Sequence, residues 1–256
     1  MILSGVRNAA TNLKSTYALL VRNYGYRLYG AMTTHAAKVG RYHLPLPQLG
    51  VLEGHPTSGG RGQTAFRKWQ LINETLPEGA TSALDIGCYN GFFALNLAAR
   101  GMFTVALDPN RDLLNLGQLA ATAARIDKVA FCPMTIDPDS VRGLPQVDVT
   151  LVLSVMHYWI QAYGWDVATD MLSVVWGKTR RCLYFEIPNP CENKKLVSEL
   201  ARMGKTESEC REFIRKTLVS LESCKVTYLD YLVTDFRGDN EKRHIFMAER
   251  VDERVV

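Results

Sequence analysis

The chain has no uninterrupted apolar run approaching the length of about 18 residues that reads as a membrane-spanning helix. It also lacks a compact apolar signal-peptide core with a cleavage site. No C-x-x-C pair occurs. Cys88, Cys132, Cys182, Cys191, Cys210 and Cys224 are scattered, several inside strand-like apolar runs, so buried reduced thiols are expected rather than disulfides or zinc. There is no internal repeat and no low-complexity tract. Acidic side chains are missing from residues 1–52, which hold six basic ones: Arg7, Lys14, Arg22, Arg27, Lys38 and Arg41. The remaining 204 residues carry 24 basic and 26 acidic groups, a net of −2, so the overall charge of +4 belongs to this extension. A core without positive surplus does not favour nucleic-acid binding, which leans on such charge.

What is present suits one domain plus an extension: 256 residues, 47% of them apolar, can bury one full core. Residues 1–62 read as a basic helical N-terminal extension and a Gly/Pro-rich linker, and residues 63–256 as the domain. Leu13, Tyr17, Leu20, Tyr24 and Leu28 follow helical spacing. Three readings of the extension stand side by side: a cap over the site, a basic amphipathic patch for anionic lipid or an acidic substrate, and a cleaved organelle leader. The expected location is cytoplasmic, with peripheral membrane contact or organelle targeting through this segment. Leu44-Pro-Leu-Pro47, Gly50, Gly54, Pro56 and Thr57-Ser-Gly-Gly-Arg-Gly62 then break any regular element.

The most informative stretch is Ala83-Leu-Asp-Ile-Gly-Cys-Tyr-Asn-Gly-Phe-Phe-Ala94, followed by Val105-Ala-Leu-Asp-Pro109. An apolar run ends in Asp85, turns through Gly87 and Gly91, and opens into a helix-forming segment. A second run ends in Asp108, 21 residues after Gly87. This is the layout of a nucleotide-binding βαβ unit with an acid placed for ribose hydroxyls. The three glycines of a dinucleotide site are not there, since Phe92 stands where the third might be sought. The turn looks built for a nucleoside without a phosphate.

Asp85-Ile-Gly-Cys-Tyr-Asn-Gly91 resembles the first motif of the class I S-adenosylmethionine-dependent methyltransferases. The resemblance runs from about Gln63 to Arg250. It implies S-adenosylmethionine as cofactor, with Asp85, Gly87, Cys88, Asn90 and Gly91 forming the cofactor turn and Asp108 holding the ribose. By position, Thr135 and Ile136 flank the adenine, and Asp137 either accepts from its amino group or stays solvated. Ser154 completes the expected cofactor set. Gln63 to Ile72 reads as an amphipathic helix with Phe66, Trp69 and Ile72 on one side. In this family such a helix often closes over the cofactor, and Arg67 is then placed to grip the methionine carboxylate.

The remainder alternates strand and helix. Strands are expected at about 82–86, 103–107, 128–132, 147–153 and 182–187, and helices at about 92–101, 111–125, 192–204 and 206–221. Two late strands, about 224–234 and 243–250, pair as an antiparallel hairpin through Arg237 to Lys242. The expected fold class is α/β: a Rossmann-like, seven-stranded, mostly parallel sheet with an antiparallel C-terminal hairpin and helices on both faces.

Function in such a sheet gathers at the carboxyl ends of the strands. Leu153-Ser-Val-Met-His-Tyr-Trp159 arrives there after strand four. A hydroxyl acceptor must lose its proton, and His157 is the expected general base, with an ordinary pKa of about 6.5. Glu186, ending the next strand, is expected to orient His157 or to share a divalent metal with it. No metal ligand set is indicated beyond that pair. Tyr158, Trp159, Tyr163 and Trp165 crowd one loop, and the first three are candidate substrate platforms. An Asn/Asp-Pro-Pro-Tyr sequence is missing after strand four, which weighs against methylation of base amines. Ser154 to Trp159, with Tyr163-Gly-Trp-Asp166, is similar both to methyltransferases of bacterial glycan hydroxyls and to those of small-RNA terminal phosphates. The expected reaction is O-methylation of a sugar hydroxyl or similar polar, small-molecule or glycan acceptor. RNA ends are the alternative, and a non-catalytic cofactor-binding subunit is a third reading.

Overall fold

The structure of the chain, a computed structural model, describes residues 61–190, 197–235 and 240–251. The basic extension and most of the Gly/Pro-rich linker lie outside the described residues. A first helix, α1 (Arg61–Thr75), leads into β1 (Ser82–Ile86), α2 (Phe92–Ala99), β2 (Phe103–Asp108), α3 (Arg111–Ala124) and β3 (Val129–Pro133). A 3-10 turn, Ser140–Gly143, precedes β4 (Val147–Leu153), α4 (Met156–Lys178) and β5 (Thr179–Glu186). Then come α5 (Val197–Leu200), a second 3-10 turn (Ala201–Met203), α6 (Glu207–Val219), β6 (Cys224–Asp235) and β7 (Asn240–Arg250). The sheet order is β3-β2-β1-β4-β5-β7-β6. Strands β1 to β5 run parallel, and β7 inserts antiparallel between β5 and β6, as the sequence predicts.

Each element follows from its residues. Every position of β4, Val-Asp-Val-Thr-Leu-Val-Leu, is buried, as a central parallel strand covered on both faces requires. Its one charge, Asp148, accepts from the Thr81 and Ser82 amides at 2.7 and 3.1 Å and from Arg180 Nε at 2.9 Å. Asn110 caps α3 by accepting from the Asp112 and Leu113 amides, and Thr206 with Glu209 forms a capping box on α6. On one face of the sheet Leu84, Val152 and Phe185 pack against Met156, Leu172 and Leu218 of α4 and α6. On the other face Val149, Leu151 and Tyr184 pack against Trp69, Ile72 and Leu97 of α1 and α2. Of the five described cysteines, Cys88, Cys182 and Cys210 are buried.

Three expectations are corrected. The segment after β4 is not a loop of aromatics, because α4 begins at Met156 and runs 23 residues with a kink at Gly164 (φ 83°, ψ 170°). The kink breaks the period between its buried positions before it, Met156, His157, Trp159 and Ile160, and those after it, Ala168, Met171, Leu172, Val175 and Trp176, so no single stripe marks the helix. Within α1 the buried face is Ala65, Lys68, Trp69 and Ile72, spaced i, i+3, i+4, i+7, whereas Phe66 is 42% exposed. The helix expected at about 192–204 is, among the described residues, only α5 and its 3-10 continuation.

Candidate active site

The β1–α2 turn is assembled from the backbone. The Gly87 and Cys88 amides donate to the Leu107 carbonyl at 2.8 and 2.9 Å, tying the turn to the end of β2. Gly87, Tyr89 and Gly91 have φ of 71°, 57° and 80°. At Gly91 a Cβ would stand 2.4 Å from the Phe131 ring, so both conformation and space demand glycine there. Asp85 is buried and accepts from the Ala94 amide at 3.1 Å, bracing the first turn of α2. Burial pushes its carboxyl up to about 7, despite that hydrogen bond.

Asp108 joins the two halves of the turn. Its Oδ2 accepts from the Tyr89 amide and its Oδ1 from the Asn110 amide, each at 2.9 Å. Burial raises its pKa, against the lowering effect of these two bonds. A carboxylate offers about four lone-pair sites. Two amides leave acceptor capacity for a pair of hydroxyls, which fits a ribose. The Cys88 thiol, by contrast, packs among Ala94, Ala106 and Leu114, so only its backbone belongs to the turn. Asn90 is buried beneath the turn.

A second cluster lies where β4 and β5 end. Glu186 is fully buried, and its Oε1 accepts from Ser154 Oγ. Arg243 Nη1, from β7, lies 2.6 Å from Ser154 Oγ and 3.1 Å from Glu186 Oε1. The Lys68 ammonium, from α1, is paired with Glu186 Oε2. Burial alone would raise the Glu186 carboxyl, but Lys68 and Arg243 outweigh it and hold it down to about 2. Ser154 turns the chain in the left-handed region (φ 59°), and His157 follows in the first turn of α4. The imidazole is buried and stacks on the Tyr158 ring at 4.0 Å. Burial lowers its pKa to about 4, Arg243 adds to the effect, and Glu186 opposes it. His157 is therefore neutral at pH 7, and its titration lies below the expected range of about 6–7.

The structure brings Asp85, Gly87, Asn90, Gly91 and Asp108 together, and it places Ser154, His157 and Glu186 together. It does not bring Arg67 inward. That side chain is exposed and reaches Asp230 at 3.3 Å, because the next residue, Lys68, occupies the buried face of α1. Glu186 does not orient His157 by a hydrogen bond; its oxygens face Ser154, Lys68 and Arg243. The shared-metal alternative does not fit this donor set, since both carboxylate oxygens already meet cations. Trp159 is 4% exposed within the core and is not a substrate platform, whereas Tyr158 (63%) and Tyr163 (40%) are exposed. Ile136 packs in the core beside exposed Thr135. Asp137 is spent on the Asp139 and Ser140 amides, at 3.0 and 2.7 Å. Sequence reasoning missed Lys68 and Arg243. The register of Ala65, Lys68 and Ile72 was a usable signal for the first, and nothing local marked the second.

No protein-family model matches the chain. Over 176 residues, 61% of this chain, it is 24% identical to the O-antigen chain terminator bifunctional methyltransferase/kinase WbdD of Escherichia coli. The matched stretch is 25% of that protein, so the chain spans about a quarter of the curated relatives it matches. A crystal structure of WbdD superimposes with a TM-score of 0.58 at 20% identity, over 76% of this chain and 42% of the other. Magnesium protoporphyrin IX methyltransferase (ChlM) from Synechocystis PCC 6803, with S-adenosylmethionine bound, gives 0.54 at 17% identity, over 90% and 97%.

Proposed function

We propose that this chain, which has the fold of the class I S-adenosylmethionine-dependent methyltransferases, is a methyltransferase that acts on an oxygen acceptor. The observation that carries the reading is the Asp85–Gly91 turn locked to Asp108 at the carboxyl ends of β1 and β2. When bound, the cofactor supplies an electrophilic methyl group on a sulfonium. Asp108 and the turn hold the nucleoside, and the acceptor binds at the carboxyl ends of β4 and β5. His157, neutral at working pH, accepts a hydrogen bond and then the proton of an acceptor hydroxyl. With Tyr158 and Tyr163 exposed beside it, the acceptor is a sugar hydroxyl or a similarly polar group. The name of the Escherichia coli relative supports a glycan. Residues 1–52 add a basic contact for an acidic acceptor or an anionic membrane surface.

The test is transfer of a labelled methyl from S-adenosylmethionine to glycan, small-molecule and RNA-end acceptors, with cofactor binding followed by calorimetry. Glycan labelling that disappears in Asp108→Ala is the expected result. Binding without transfer to any acceptor would make the chain a cofactor-binding subunit, and labelling confined to RNA would overturn the glycan assignment. No helix among the described residues is long and apolar enough to cross a membrane. Deleting residues 1–52 should therefore abolish sedimentation with anionic vesicles if that segment is the membrane contact.

A further inference from the structure

We propose that Arg243 is a positioning residue for His157: from the last strand it grips Ser154 and Glu186 together and so sets the turn that carries the imidazole. The inference rests on His157 lying at the reacting centre. Arg243 stands two residues before Ile245, which is opposite Glu186 in the β5–β7 register, so it emerges where β4 and β5 end. One nitrogen, Nη1, spans Ser154 Oγ at 2.6 Å and Glu186 Oε1 at 3.1 Å.

Ser154 needs such support. A serine at φ 59° is in a region L-residues avoid, and it persists only where its surroundings over-determine it. The Ser154 amide donates to the Glu186 carbonyl at 2.8 Å, and its hydroxyl is engaged by Glu186 and Arg243. His157 sits three residues on. Its Nδ1 has no hydrogen-bond partner among the described residues, so the ring takes its place from the turn and from the Tyr158 stack rather than from an anchor of its own. Among the described residues, the charged groups that act on His157 are Arg243 from β7 and Glu186 from β5, with Lys68 from α1 paired to Glu186. Of these, Arg243 disfavours the imidazolium and Glu186 favours it. Arg243 thus sets where the ring is and adds to the burial that keeps it neutral. The hydrogen-bonded grip explains why a residue so remote in sequence matters at the end of β4.

The experiment is a pH titration of the full chain labelled at histidine Cε1, read by proton–carbon NMR. The five histidines are sorted by a His157→Gln spectrum. In the wild type His157 should titrate near about 4. Arg243→Met should raise its proton affinity roughly threefold to tenfold, since a like charge is removed. Arg243→Lys keeps the charge and should leave the titration low while moving the resonance. Ser154→Ala keeps every charge but cuts the grip, and should shift His157 out of the Tyr158 ring current without raising its pKa. A folded Arg243→Met protein with an unmoved His157 titration would overturn the proposal. So would a Ser154→Ala protein whose His157 signal is unchanged, which remains decisive even if Arg243→Met does not fold. Cofactor calorimetry on the same samples reports separately on the methyltransferase reading, because the turn Asp85 to Gly91 follows β1 whereas Arg243 lies on β7.

Discussion

Replacing Glu186 by glutamine keeps the shape of the side chain and removes the only described anion between Lys68 and Arg243. Two routes give the size of the effect. Taking one partner from a buried ion pair costs about 3–5 kcal/mol, because a charge is left buried and uncompensated. Independently, burial would raise this carboxyl, yet Lys68 and Arg243 bring it from an ordinary 4.5 down to about 2. A shift of that size corresponds to about 3 kcal/mol of stability. The group is fully buried, so solvent screening does not discount the figure. The sign follows from the depressed value. The contribution is complete above pH 4.5 and is lost as pH falls toward about 2. Urea melts at pH 7 should therefore show Glu186→Gln less stable by about 3–5 kcal/mol. The gap from wild type should narrow as the pH is lowered through that window. His157 begins its own acid-side loss at pH 6.5, so the comparison is made at each pH against wild type. Adding Lys68→Met to Glu186→Gln should restore part of the loss, since it removes one stranded cation. A single variant within about 1 kcal/mol of wild type would refute the reasoning, because a surface-like pair is worth no more than that.

Asp108→Ala should weaken S-adenosylmethionine binding at least about tenfold by calorimetry, as each hydrogen bond to a charged acceptor is worth about 1.5–3 kcal/mol; unchanged affinity would remove Asp108 from the site. Gly91→Ala forces φ 80° on an L-residue and drives a Cβ to 2.4 Å from Phe131. Thermal or urea unfolding should register a loss of about 2–4 kcal/mol, strain and overpacking combined, and a neutral result would mean the turn re-forms without glycine. His157→Ala should lower turnover by about 10²- to 10⁴-fold with cofactor affinity held within a few-fold. Normal turnover in that variant would leave proximity alone to run the reaction.

The cofactor half of the site was legible because it is local. Asp85, Gly87 and Gly91 are spaced by one turn, and Asp108 by one βα step, so strand, turn and helix periodicity place them without knowledge of distant contacts. The boundaries of β1, β2 and β4 were legible for the same reason: β4 is a strand-forming run with a single acid, and β1 ends just before its glycine. The acceptor half was not. His157 and Glu186 could be named from strand ends, but α4 was hidden by its kink, which puts its two buried halves out of register. Arg67 suggests itself because a guanidinium grips a carboxylate, whereas helix register turns its neighbour Lys68 inward.

The sequence by itself determined the order of the strands, the glycine-built turn and the acid that follows it, since each depends on backbone preference and short-range pattern. Only the tertiary structure decided the state of the charges at the other end. Lys68, Ser154, Glu186 and Arg243 come from three elements and the β4–α4 turn, as much as 175 residues apart. Their meeting excludes the water that would otherwise screen them, and that exclusion turns four ordinary polar side chains into a network that keeps Glu186 ionised, while burial of the imidazole keeps His157 neutral beside it.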